Sequence, residues 1–320
     1  MKLNKEELIA FQERDLEEKI NIDIQDQIEY DVFYDECKED GYWHCFLFVP
    51  KDKKEYIHQL ISKARGCTSF VYPIHYVNIK ARTKFKVPNV QFVKILIDIL
   101  LYIIQQDKIQ AVIKWGENNK LYNEPKVGAK LAIFRKKYQN NSKSENQKMI
   151  EATFRMGLKG ALNFLFIDEH PIIDNIYVDY SEKCFNNNFD SLNMWERLKN
   201  ELRDNISYTS NSAIRFISKE DYTLDNAESQ LMQFVDVIIG SIRTCVLQQT
   251  NFEARYKATE AIRTILLKDY NNYARMKNSR YYKGYTLSEA TLENGEWEFK
   301  PIKIEFDKQQ IEFFSSDDLN

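Results

Sequence analysis

Three aspartates stand where a carboxylate is costly to keep: Asp35 in the alternating run YDVFYDE, Asp179 in IYVDY, and Asp236 inside LMQFVDVIIG. Asp236 is the most informative, because Phe234, Val235, Val237, Ile238 and Ile239 flank it. A buried carboxylate calls for a partner, a raised pKa or a bound cation. Each acid taken singly has an ordinary explanation, such as a strand-end hydrogen bond, an ion pair or exposure. Taken together, acids on two strands and a late helix fit oxygen-only ligation of a hard divalent ion, Mg2+ or Mn2+. Two such ions about 4 Å apart activate a water and stabilise the leaving oxygen in phosphodiester cleavage.

The remaining chemistry-bearing residues support this choice by what they lack. Cys37, Cys45, Cys67, Cys184 and Cys245 form no CxxC pair and read as reduced thiols in or near the core. His44, His58, His75 and His170 form no HExxH, and none lies beside a nucleophile elbow. There is no GxxxxGK[ST] loop and no GxGxxG, so nucleotide-driven chemistry has little support. Gln233, three residues before Asp236, could orient that acid or a water, or simply bond to the sheet. Lys219 and Arg243 are candidate phosphate contacts, with ion pairing as the alternative for each. Lys80, Arg82, Lys84 and Lys86 alternate in register, with Tyr76 and Phe85 nearby as base-stacking or core aromatics.

The elements that must position these groups follow from periodicity. YDVFYDE and YWHCFLFVP, separated by the turn KEDG, predict an antiparallel β-hairpin. A helix is expected over 52–64 and a third strand around YPIHYVNIKA. The apolar run Val93 to Ile104 reads as a buried helix, being too short and too polar at Asp98 to span a bilayer. QAVIKW is strand-like, and 117–147, with Arg135, Lys136 and Lys137, reads as a flexible insertion or lid. A helix from about Lys148 to Phe166, a strand from Ile173 to Glu182 and a helix from Ser191 to Leu202, capped by Asp190, come next. A strand from Ala213 to Asp221 leads into a long buried helix from Glu228 to Gln249. A helix near Phe252 to Lys268 and the strand-like WEFKPIKIEF follow.

Composition sets the class. The 320 residues carry 45 basic and 48 acidic side chains, a formal charge of -3, which excludes binding nucleic acid through bulk positive charge. With 43% hydrophobic and 13% aromatic residues in the chain, a large core is expected. The amino-terminal stretch is charged and helical in pattern, without a signal-peptide core, so a cytoplasmic protein with no membrane role is expected.

FYDECKEDGYW resembles the opening Asp-Glu-Ser motif of a bacterial domain-of-unknown-function family with a ribonuclease H-like fold. The segment from Ala213 to Arg243 is similar to that family's closing part. There, a strand ending in Ser-Lys (Ser218, Lys219) precedes a Leu-Gln-Leu-Ala-Asp helix, matched by Met232 to Asp236 with Gly240 following. IYVDYSEK resembles the middle strand, whose acid is Asp179. Cys37 replaces the usual Ser, and Phe234-Val235 replaces Leu-Ala. The resemblance implies an α/β fold with a ribonuclease H-like mixed sheet over 30–250, following a helical extension at 1–29. A helix and strand extension at 251–320 would complete the chain. It also implies Asp35, Asp179 and Asp236 as catalytic metal ligands, with Glu36 as a helper. The expected activity is Mg2+- or Mn2+-dependent cleavage of DNA or RNA. The alternative is a non-catalytic subunit of a bacterial defence or mobile-element assembly, with a protein partner or a second copy bound.

Overall fold

The computed structural model describes residues 27–38, 41–79, 86–104, 127–136, 143–167, 169–179, 191–219, 225–247, 255, 262, 284–293 and 296–302. Their strands form one mixed seven-stranded sheet with helices on both faces, an α/β architecture. β1 (Glu29–Cys37) and β2 (Tyr42–Pro50) form the expected hairpin, with Asp35 opposite Cys45. Gly41, just before β2, has φ 121°, and a Cβ there would meet the Lys136 carbonyl oxygen at 2.6 Å. Both constraints select glycine.

β2 pairs antiparallel with β3 (Lys130–Lys136), which corrects the expectation of a lid there. Leu131, Ala132, Ile133 and Phe134 are buried, and so are Lys130 and Arg135, each with a partner inside. Lys130 Nζ donates to the Leu165 carbonyl at 3.0 Å and to Glu169 Oε1 at 2.6 Å. The Arg135 guanidinium lies 4.9 Å from the Trp43 ring centroid and 3.2 Å from Glu289 Oε2. On the other side of β1, β4 (Ile172–Asp179) runs parallel to it and β5 (Ser207–Ile217) runs parallel to β4. β6 (Tyr285–Glu293) and β7 (Glu296–Pro301) add to β3, giving the order β5-β4-β1-β2-β3-β6-β7. The C-terminal strands thus continue the main sheet.

The helices are α1 (Lys54–Thr68), α2 (Lys86–Ile104), α3 (Lys143–Leu165), α4 (Ser191–Lys199) and α5 (Ala227–Leu247). Residues of α1, α2 and α5 build the core over one face of the sheet, and those of α3 and α4 build the core over the other. β1 feeds both, Phe33 toward α5 and Val32 and Tyr34 toward α3, as a central strand covered on two sides must. Asn226 caps α5, its Oδ1 accepting from the Ser229 amide at 2.9 Å. Leu231, Phe234, Val235, Ile238 and Ile239 of α5 are essentially fully buried, each contributing about 1.5–3 kcal/mol relative to exposure. α5 is long and apolar enough to cross a membrane, yet 83% of its apolar window is buried inside the protein.

The expected strand around YPIHYVNIKA is instead a loop with a short 3-10 turn at Tyr76–Asn78. Its backbone groups bond to side chains rather than to a neighbouring strand: the Ile74 amide donates to Gln233 Oε1 at 3.0 Å, and Arg65 Nη1 donates to the Tyr72 carbonyl at 2.7 Å. The expectations for the N-terminal helix to residue 26, Lys80 to Phe85, QAVIKW, Cys184 and the Asp190 cap lie outside the described residues.

Candidate functional site

Asp35 and Asp179 sit at the carboxyl ends of neighbouring parallel strands, where Tyr34 pairs with Val178. Ligands of open α/β sheets gather at this edge. The third parallel strand, β5, ends at Ile217 and delivers Lys219 to the same place. Lys219 Nζ donates to Asp35 Oδ1 at 2.7 Å and lies 3.3 Å from Asp179 Oδ2. Asp35, Asp179 and Lys219 are only 0%, 4% and 6% exposed.

Asp236 reaches the cluster from α5, close enough for its charge to act on both Asp35 and Lys219. Its Oδ2 accepts from the Tyr76 amide at 2.8 Å and lies 3.8 Å from His75 Nδ1. The side chains of Asp236 and His75 are 19% and 26% exposed, so the cluster opens to solvent on their side. Two of the three predicted acids, Asp35 and Asp179, therefore meet on one lysine, and Asp236 lies near enough for its charge to act there without pairing with it.

Electrostatics follow from this burial. The Asp35 carboxyl is raised to about 7, pushed up by desolvation and by the Asp236 charge against the downward pull of the Lys219 ammonium. Burial opposes the Lys219 charge, but the carboxylates of Asp35, Asp236 and Asp179 outweigh it and hold the pKa above the ordinary lysine range. Asp35 Oδ2 is fully buried and has no hydrogen-bond partner among the described residues. Among the described residues, no three His, Cys, Asp or Glu side chains stand close enough together to hold a metal ion. The acids meet on an ammonium instead.

A buried polar frame fixes the cluster. Gln233 Nε2 donates to the Lys219 carbonyl at 2.9 Å, and Gln233 Oε1 accepts from Arg65 Nη2 at 2.8 Å as well as from the Ile74 amide. Arg65 Nε donates to Gln230 Oε1 at 2.7 Å, and burial lowers its pKa to about 10. Ser229 Oγ donates to the Ser218 carbonyl at 2.8 Å. Gln233 thus takes the bland alternative in kind, an ordinary hydrogen bond, but to the backbone that carries Lys219. Gly240, one turn after Asp236, lets Tyr76 lie on α5, since a Cβ there would come within 2.1 Å of Tyr76 Cγ. The Tyr76 hydroxyl and Thr244 Oγ1, 2.5 Å apart, fasten the loop beyond it.

Two predicted site residues are not brought to the cluster's open side. Glu36 points to the opposite face of β1, accepting from the Tyr34 hydroxyl at 3.1 Å and pairing with Lys38 at 2.7 Å. Side-chain alternation along a strand separates it from Asp35. Arg243 is 4% exposed, with Nη1 donating to Cys37 Sγ at 2.8 Å, so it braces the end of β1 against α5. Tyr76, read from the sequence as either a base-stacking or a core aromatic, is core at 2% exposure. The residues that sequence reasoning missed are Arg65 and His75, whose neighbours in sequence give no sign of α5. No protein-family model matches the chain, and no curated protein matches its sequence.

Proposed function

We propose that the chain is a divalent-metal-dependent nuclease that hydrolyses phosphodiester bonds of DNA or RNA on a ribonuclease H-like sheet. Support for the fold reading comes from the order β5-β4-β1-β2-β3, an antiparallel meander followed by two parallel strands added beside β1. The observation that carries the functional reading is the pairing of Asp35 and Asp179 on one cation position at the carboxyl edge of the parallel strands, with Asp236 near enough for its charge to act there.

The donor set fits Mg2+ or Mn2+: all three acids offer hard oxygens, and Asp35 Oδ2 is a buried acceptor with no partner among the described residues. When bound there, the ion would lower the pKa of a water and neutralise charge on the scissile phosphate. The chain's own part is positional. Asp35 and Asp179 are fixed by strand register, Asp236 by the Tyr76 amide, and the Lys219 backbone by Gln233. Opening on the Asp236 and His75 side gives a phosphate its approach. The alternative, a non-catalytic interaction protein, is favoured by the Lys219 ammonium already seated on Asp35 and Asp179, which closes the site if it never leaves.

Calorimetric titration of Mn2+ into the chain tests the reading. Wild type is expected to bind, and Asp35→Asn and Asp179→Asn to bind at least about tenfold more weakly. Absence of binding by wild type, or undiminished binding by both variants, removes the metal site.

A further inference from the structure

Lys219 occupies the cation position itself. Its ammonium touches two of the three acids, while its backbone is held by Gln233 and its predecessor's carbonyl by Ser229. Only the side chain is therefore free to travel, on a flexible four-carbon stem. A divalent ion and an ammonium cannot share Asp35 and Asp179 at contact distance, because like charges in a buried site repel strongly. The acids, for their part, cannot lose the lysine without replacement, since unpaired buried carboxylates are costly. The exposed flank at Asp236 and His75 is the side on which one cation can enter as the other departs.

We propose that Lys219 is a built-in counter-ion, which holds the acid cluster together in the metal-free protein and is displaced from Asp35 and Asp179 when a divalent cation binds. The displaced ammonium then stands at the mouth of the site, where a substrate phosphate arrives. This rests on the metal-dependent reading above, and it adds a competition that the reading alone does not require.

The test compares Mn2+ binding to the full chain and to Lys219→Met, both stripped with EDTA, by calorimetry and thermal unfolding. Removing the competitor is expected to tighten binding by roughly tenfold or more, the scale of one neighbouring charge's effect on an ionisable group. The variant should melt below wild type in EDTA and gain more from Mn2+. Equal or weaker binding by Lys219→Met overturns the displacement while leaving the metal site standing. No binding by either protein overturns both. Should the variant not fold, amine acetylation of wild type, read residue by residue by mass spectrometry, decides the matter. Mn2+ is expected to speed modification of Lys219, and an unchanged or slower rate overturns the proposal.

Discussion

At the scale of single residues, the site is a balance between desolvation and pairing. Asp35 is fully buried, and its carboxyl, pushed up to about 7, must lose its proton before it ligates a metal. Apparent Mn2+ affinity is therefore expected to fall by about tenfold per pH unit below pH 7, one proton being displaced per ion. Titrations at pH 5, 6 and 7 check this, and a flat profile contradicts it. The sign for stability runs the other way in metal-free protein. Because the folded value lies above the ordinary 3.8, the contribution of Asp35 is full below that pH and is lost as pH rises through about 7. Denaturant unfolding in EDTA should show this loss, and Asp35→Asn should flatten it. The three acids were legible in the sequence because an Asp amid apolar neighbours demands a reason. The role of Lys219 was not, since a lysine after a strand looks like any solvated cation until three separate segments converge on it.

At the scale of elements, α5 is the organiser. It supplies Asp236, offers Gln233 to Arg65 and the Lys219 carbonyl, and leaves at Gly240 the gap that Tyr76 fills. Gly240→Ala is expected to cost about 1–3 kcal/mol through overpacking, measured by denaturant midpoint, and to loosen the Tyr76 amide from Asp236. Gln233→Leu leaves Arg65 Nη2, the Ile74 amide and the Lys219 carbonyl short of a partner, at about 1–3 kcal/mol for each group left unsatisfied. A loss of under 1 kcal/mol in that variant would show the frame to be dispensable. The hairpin, α1, β4, β5 and α5 could be read from periodicity because their own residues carry the signal. β3 could not: its apolar run is short, its flanks are polar, and the burial of Lys130 and Arg135 depends on Glu169, Trp43 and Glu289, all distant in sequence. The loop at 70–79 misled in the opposite direction, since its apolar residues alternate but its backbone is satisfied by α1 and α5 side chains.

At the scale of the whole molecule, the sheet order and the charge balance bear on function together. Strand order depends on pairings such as β3 with β6, which no local pattern encodes. Ending the chain before Tyr285 strips β3 of that partner and bares its edge, so the shortened protein is expected to aggregate, as light scattering would reveal. The 45 basic and 48 acidic residues leave a net charge of -3, which is poor for holding nucleic acid unaided. A cation bound among three of those acids would remove the local repulsion, so nucleic-acid binding should weaken sharply in EDTA. The most direct measurement is cleavage of single-stranded and duplex DNA and RNA with Mn2+, wild type beside Asp236→Asn, with folding of both checked by circular dichroism. The account predicts cutting by wild type that EDTA stops, and a loss of at least about 100-fold in the variant with its fold intact. No cutting of any substrate by wild type, or equal rates in the two proteins, would contradict it.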